Sequence, residues 1–207
     1  MNPSPRFLTV LAVAAFAIVA CKSKNESYGS VDTTKPATST TDTSSHAAAP
    51  APAPAAPALT DANIVAILDF ANESDSTFGA LAVKKAKSAD VKRFARLMEG
   101  EHHALRAQGQ QLAKKLNVTP QPPANFDMPD KQKAAMSDLE SKSGADFDKA
   151  YIDHEVQYHI LVLDTANQAL TAAQAQELKD LIQKAAPVIQ KHLDMAKQIQ
   201  AKQSGTA

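Results

Sequence analysis

The chain predicts an all-α fold: four long helices in a bundle, with a short extra helix between the second and the third. Three observations point there. Glycine is scarce, 6 residues in 207, while alanine is abundant and strand-like alternation is missing. From Leu59 onward apolar residues recur with a period near 3.6 in four long stretches. Between the second and third stretches lies a proline-rich break of the length a crossover connection needs.

The chain opens differently. Arg6 is followed by a short apolar run from Phe7 to Ala20, too short to span a bilayer and suited to the core of an export signal. It ends in Ile18-Val19-Ala20-Cys21, which resembles a bacterial lipobox. That resemblance implies cleavage after residue 20 and lipidation of Cys21, the only cysteine in the chain. A thiol is the nucleophile that accepts the lipid, and several acyl chains together give stable anchoring. Lys22 stands where an inner-membrane retention signal carries Asp, so the expected location is the outer membrane, facing the periplasm. Residues 21–58 are first Ser/Thr-rich, then Ala/Pro-rich from Ala47 to Ala58, and contain almost nothing large and apolar. Such a segment has no core to build and reads as a flexible, then semi-rigid tether, with His46 solvated.

The domain is expected over residues 59–203, with 204–207 as a tail. Helix one is expected from Asp61 to Lys87, capped by Thr60 or Asp61. Its stripe runs through Ile64, Ile67, Leu68, Ala71, Asp75, Phe78 and Leu81. Helix two follows Ser88, a second cap, and runs to Leu116 along Val91, Phe94, Met98, His102, Leu105 and Leu112. Pro120, Pro122, Pro123 and Pro129 then break the pattern. A short helix spans Asp130 to Lys142, closed by Gly144. Helix three runs from Ala145 to Leu170. Helix four starts at a capping box, Thr171-x-x-Gln174, and reaches Lys202, with a kink expected at Pro187. Two tight hairpins joined by one long crossover make a ferritin-like four-helix bundle.

The stripes carry charged residues near their centres, where they need partners. Asp75 and His102 lie 13 and 14 residues either side of Ser88, at the same height in the first hairpin. Glu155, His159 and His192 occupy stripe positions in the second, with a looser match counted from Thr171. Glu99 and Glu101 flank the layer. Ferritin-like proteins bind two metal ions with one Glu from each of two helices and Glu-x-x-His from the other two. Glu99-x-x-His102 fits that spacing once and has no counterpart, so a full two-metal site is not expected. A single-ion site for Fe, Mn, Zn or Cu is open to these ligand types. The alternative is a hydrogen-bonded layer with Asp75–His102 and Glu155–His192 pairs fixing register, and the sequence favours that alternative. His103 and His154 are expected at the surface, since neighbouring side chains diverge on a helix.

The segments from Phe78 to His103, Ala150 to Leu163 and Ala186 to Ile199 resemble a family of bacterial envelope proteins, domain of unknown function 4142. The resemblance implies a ferritin-like fold and an outer-membrane or periplasmic location. It also implies an acid at Asp75, an acid-His pair at Glu101-His102, and histidines at His159 and His192. Glu101 stands where Asp is usual. The family brings no reaction.

Zero net charge, with 22 basic and 22 acidic residues, gives no field for nucleic acid, and no nucleic-acid motif is present. Nucleophile elbow, phosphate loop and zinc-protease helix motifs are missing too. Three readings remain: a non-enzymatic envelope module acting on a protein or cell-wall partner, a metal-binding or oxidase-like ferritin relative, and a small-ligand carrier.

Overall fold

In the computed structural model, residues 59–205 are described. The expected export signal, Cys21 and the tether lie outside them. The described residues form five helices: α1 (Asp61–Lys85), α2 (Ala89–Lys115), α3 (Met128–Ser141), α4 (Gly144–Ala172) and α5 (Gln176–Gln203). The four long ones make the ferritin-like bundle and α3 is the extra helix in the crossover. No strand occurs among the described residues, and none of their helices is long and apolar enough to cross a membrane.

Local chemistry explains where α1 begins. The Thr60 hydroxyl accepts from the Asn63 backbone N–H at 3.2 Å, and Asn63 Oδ1 accepts from the Thr60 N–H at 3.0 Å, a reciprocal cap. The two hairpin turns depart from the expected caps. Ser88 precedes α2 but its side chain caps nothing. Instead the buried Asp148 carboxylate, from α4, accepts from the backbone N–H groups of Lys87 (2.8 Å) and Ser88 (2.6 Å). The expected start of the last helix at Thr171 is corrected: Thr171 lies inside α4, its hydroxyl donating to Asn167 O one turn back. The turn falls at Ala173–Ala175, and Asp61 of α1 accepts from the N–H groups of Gln174 (2.7 Å) and Ala175 (3.0 Å). Each hairpin's turn is therefore closed by a carboxylate from the other hairpin. Gly144 does not close α3. It opens α4 with φ of 61°, a left-handed conformation that favours glycine.

These clamps fix the directions. Asp148 places the start of α4 beside the α1–α2 turn, so α4 runs parallel to α2, and a hairpin cannot join parallel helices. The crossover supplies the return. It leaves α2 beside the start of α1, where Gln121 N–H donates to Ala62 O at 3.0 Å. It passes Phe70, whose ring meets Phe126 edge-on at 5.4 Å. It ends with α3 against the far end of α1, where Lys85 Nζ donates to Leu139 O at 3.3 Å. Within the bundle α1 packs on α2 and α4 on α5, with α2 against α5 and α1 against α4.

The apolar core is in two pieces. One, with Phe78, Phe94, Met98, Phe147 and Tyr151, fills the end with the α1–α2 turn. The other, with Ile64, Val65, Ala169, Leu178 and Ile182, fills the opposite end. Burying one such large side chain contributes about 1.5–3 kcal/mol. Between the two pieces lies a layer of buried polar groups.

Candidate metal centre

That layer contains Asp75, His102, Glu155, His159 and His192, each at most 1% exposed. All five were expected there. With the second turn at Ala173–Ala175, Glu155 and His192 sit 19 and 18 residues either side of Gln174, so the mismatch counted from Thr171 disappears. The helical periodicity turns all five inward, and the two clamped turns bring them to one height.

The three imidazoles are each oriented by a hydrogen bond on one ring nitrogen. Asn72 Nδ2 donates to Leu68 O at 2.7 Å, which turns its Oδ1 toward His102 Nδ1 at 2.9 Å. His102 therefore carries its proton on Nδ1. His159 Nδ1 donates to Glu155 O, one turn back, at 2.9 Å. His192 Nε2 donates to Glu101 Oε2 at 2.7 Å. The nitrogens outside these three bonds are His102 Nε2, His159 Nε2 and His192 Nδ1. His102 Nε2 and His192 Nδ1 face each other at 3.2 Å. Two lone pairs at that distance repel unless a proton or a metal ion lies between them. Two imidazole nitrogens bound to one ion at about 2.0–2.1 Å stand roughly 3 Å apart.

The carboxylates are equally exposed to each other and equally short of donors. Both oxygens of Asp75, both of Glu155, and His159 Nε2 have no hydrogen-bond partner. Asp75 Oδ2 lies 3.5 Å from His102 Nε2, and Glu155 Oε2 lies 3.4 Å from His159 Nδ1, both too long for good hydrogen bonds. The Tyr151 hydroxyl, also buried, is unpartnered as well. Native interiors rarely leave such groups without partners.

The electrostatics carry the same strain. Burial, reinforced by the Glu155 charge, pushes the Asp75 carboxyl well above the usual carboxylate range although His159 opposes it. Burial also works against ionised Glu155, but His159 outweighs it and holds Glu155 below its ordinary value. Burial opposes a charged His159, yet Asp75 and Glu155 raise it to about 9. His102 is driven well below its ordinary value by burial and then by the other two imidazoles. His192 is lowered by burial, against the pull of Glu101. A divalent cation would neutralise the two carboxylates, hold the imidazoles neutral and fill the empty acceptor positions at once.

Ligand atoms of His102, His159 and His192 lie within 4.8 Å of one another, as do those of Asp75, Glu155 and His159. His159 belongs to both groups, so the two lie side by side in the layer. The donor types suit a divalent ion, and Asn72, Glu101 and the Glu155 carbonyl orient the three histidines as second-layer partners of metal-bound imidazoles do.

Three expectations are corrected. Glu99 does not join the layer: it is in neither ligand group, and its backbone carbonyl accepts from Ser76 Oγ at 3.1 Å. Its spacing to His102 puts it on the flank of α2, where Gly79 of α1 packs against its backbone. The Glu155–His192 pair does not form, because His192 takes Glu101 and Glu155 lies against His159. His154 is not on the surface but half-buried, stacked on Phe78 at 4.3 Å and on Tyr158 at 5.6 Å. His103 is exposed, as expected. Asn72 and Tyr151 were missed. Asn72 precedes Asp75 by three residues, and that spacing was the available signal.

Solved structures of similar fold include a protein described as a secreted DUF305 protein from Streptomyces coelicolor. It is 11% identical, with a TM-score of 0.58, over 69% of this chain and 92% of that one. They also include CopM in its Cu(II)-bound form, 15% identical with a TM-score of 0.55, over 70% of this chain and 98% of that one. At these identities the likeness concerns the fold. No curated protein matches the sequence. A family model, the domain of unknown function DUF4142, matches residues 45–199, three-quarters of the sequence, and the chain belongs to that family.

Proposed function

We propose that the domain binds one divalent transition-metal ion in its central layer, through His102, His159 and His192 with Asp75 and Glu155 completing the set. The observation that carries this reading is that the four buried carboxylate oxygens of Asp75 and Glu155, and His159 Nε2, have no hydrogen-bond partner, beside two imidazole nitrogens facing each other. A purely hydrogen-bonded layer, the reading the sequence favoured, needs added protons on Asp75 and His159 to pair these groups, where one divalent ion meets them together. Imidazole-rich donor sets suit Cu, Zn, Fe and Ni, and among divalent first-row ions Cu(II) binds such sets most tightly. Copper is the ion we assign, and the Cu(II)-bound neighbour of the same fold supports it. The test is elemental analysis and titration of the full chain, prepared without a metal-binding tag, against Fe, Mn, Zn and Cu. One equivalent of copper, retained through dialysis, is expected. Retention of no ion at all rejects the reading.

The ion-binding domain is held at the cell envelope by lipid on Cys21, most consistently at the periplasmic side of the outer membrane. The motif ending in Cys21 and the tether after it support this. Cys21→Ala should leave the membrane fraction. A variant that stays membrane-bound with unchanged mobility overturns the anchor.

A further inference from the structure

A cavity of about 50 Å³ lies against one side of the central layer, toward the Ile64/Leu178 end of the core. Its walls are aliphatic, among them Val65, Leu68, Ala166, Ile182 and Ile189, and Asp75 and His102 form part of its lining. Its half-buried lining residues, Leu68, Arg106, Gly109, Val162 and Ala185 among them, form its mouth toward the bundle surface. We propose that this cavity admits a small uncharged molecule of about dioxygen's size to the metal-binding layer. The proposal rests on the metal reading for what the molecule meets there.

Three features select that class. An ion entering between aliphatic walls loses its hydration without replacement, at a cost of several kcal/mol. Arg106, the cation at the mouth, is already paired with Asp69 at 3.0 and 3.1 Å and with Glu73 at 2.8 Å, so it offers little attraction to an anion. A water molecule needs two to four polar partners, and a largely aliphatic cavity leaves it few, whereas apolar cavities take up xenon and small hydrocarbons. The lining is not wholly inert: both Asp75 oxygens are buried and without hydrogen-bond partners.

The experiment has two arms, both on the full chain. In the first, the metal-free chain is saturated with xenon and methyl resonances of Val65, Ala166 and Ile182 are followed by NMR. Xenon-dependent shifts at these methyls are expected. They should be lost in Gly109→Leu, where an added Cβ meets nothing within 4 Å, and in Ala186→Leu, a second wall position that stands in if the first variant misfolds. Unshifted methyls, or shifts that persist in both variants, overturn the proposal. In the second arm, carbon monoxide is added to the copper(I)-loaded chain and its infrared band is followed after photolysis. Rebinding at least tenfold slower in the plugged variants, with copper stoichiometry unchanged, supports the route, and equal rates overturn it. If the chain retains no copper the metal reading fails by itself, and the xenon arm still decides whether the cavity takes up a ligand.

Discussion

His102 Nε2 and His192 Nδ1 stand 3.2 Å apart inside the bundle, each with its other nitrogen already donating, to Asn72 and to Glu101 respectively. This pair is destabilising in isolation and productive around a cation. It makes the two histidines a unit, and the first prediction follows from it.

His102→Ala, His159→Ala and His192→Ala should each lower copper affinity by at least a hundredfold, measured by competition with a chromogenic chelator. Glu99→Gln should leave it unchanged, because that carboxylate is outside both ligand groups. Glu101→Gln should fall between, about 10–100-fold weaker, as loss of an orienting partner does. Equal effects at Glu99 and His159 would remove the site from this layer.

Asp75 is predicted to trade stability for binding. In the metal-free chain its carboxyl is buried without a hydrogen-bond donor. Above pH 9, where His159 has lost the proton that Asp75 helps it hold, Asp75→Leu should raise metal-free stability by about 1–3 kcal/mol in urea melts, and it should weaken copper binding at least tenfold. A variant that is less stable than the parent would show that Asp75 is satisfied after all.

The pH dependence has a definite sign. The His159 imidazole rises to about 9 in the folded chain against about 6.5 unfolded. The folded state thus holds a proton that the unfolded state releases. The resulting stabilisation is fully present below pH 6.5 and is lost as pH rises through 9. Its size is at most about 3 kcal/mol. The raised Asp75 carboxyl acts in the same direction. Lowered His102 and His192 act oppositely, costing stability as pH falls below 6.5. Metal-free urea melts at pH 6.5 and 9 should show the loss, and His159→Gln should abolish most of it. Copper affinity should move the other way, tightening as pH rises because binding displaces protons.

Gly79 sets the spacing of α1 and α2 at the level of the site. A Cβ there would lie 2.7 Å from Glu99 N and 2.8 Å from Ala95 O, both backbone atoms that cannot swing aside. Gly79→Ala should cost roughly 2–4 kcal/mol despite alanine's better helix propensity, and weaken copper binding by moving Asp75 from His102. A gain in melting temperature would contradict this close approach.

Much of this was legible because helical period and hairpin counting are local arithmetic. Asp75 and His102 flank a turn that Ser88 marks, so their height could be read directly. The second turn carries no glycine or proline: Ala173–Ala175 looks like more helix, and Thr171-x-x-Gln174 imitates a start. The count from there was short by about a turn. Which atoms lack partners was not legible at all. Glu99 and Glu101 both neighbour His102 in sequence, and only the approach of α5 decides that Glu101 meets His192 while Glu99 stays out. Asn72 and Asp148 were missed because each acts on a backbone or ring from another helix, 30 and about 60 residues away.

The exchange of carboxylates between the hairpins, Asp148 to the first turn and Asp61 to the second, bears on how the chain folds. Neither hairpin can finish its own turn, since the acceptor for its exposed N–H groups belongs to the other. Both turns mature only when the halves dock, a late event on the folding path. Asp61→Ala and Asp148→Ala should therefore accelerate unfolding while leaving the folding rate nearly untouched, with φ-values near zero at both ends of the bundle. The central layer, held between two such late-forming ends, assembles in the same step, and the grouping of its three histidines and two carboxylates exists only in the fully docked molecule.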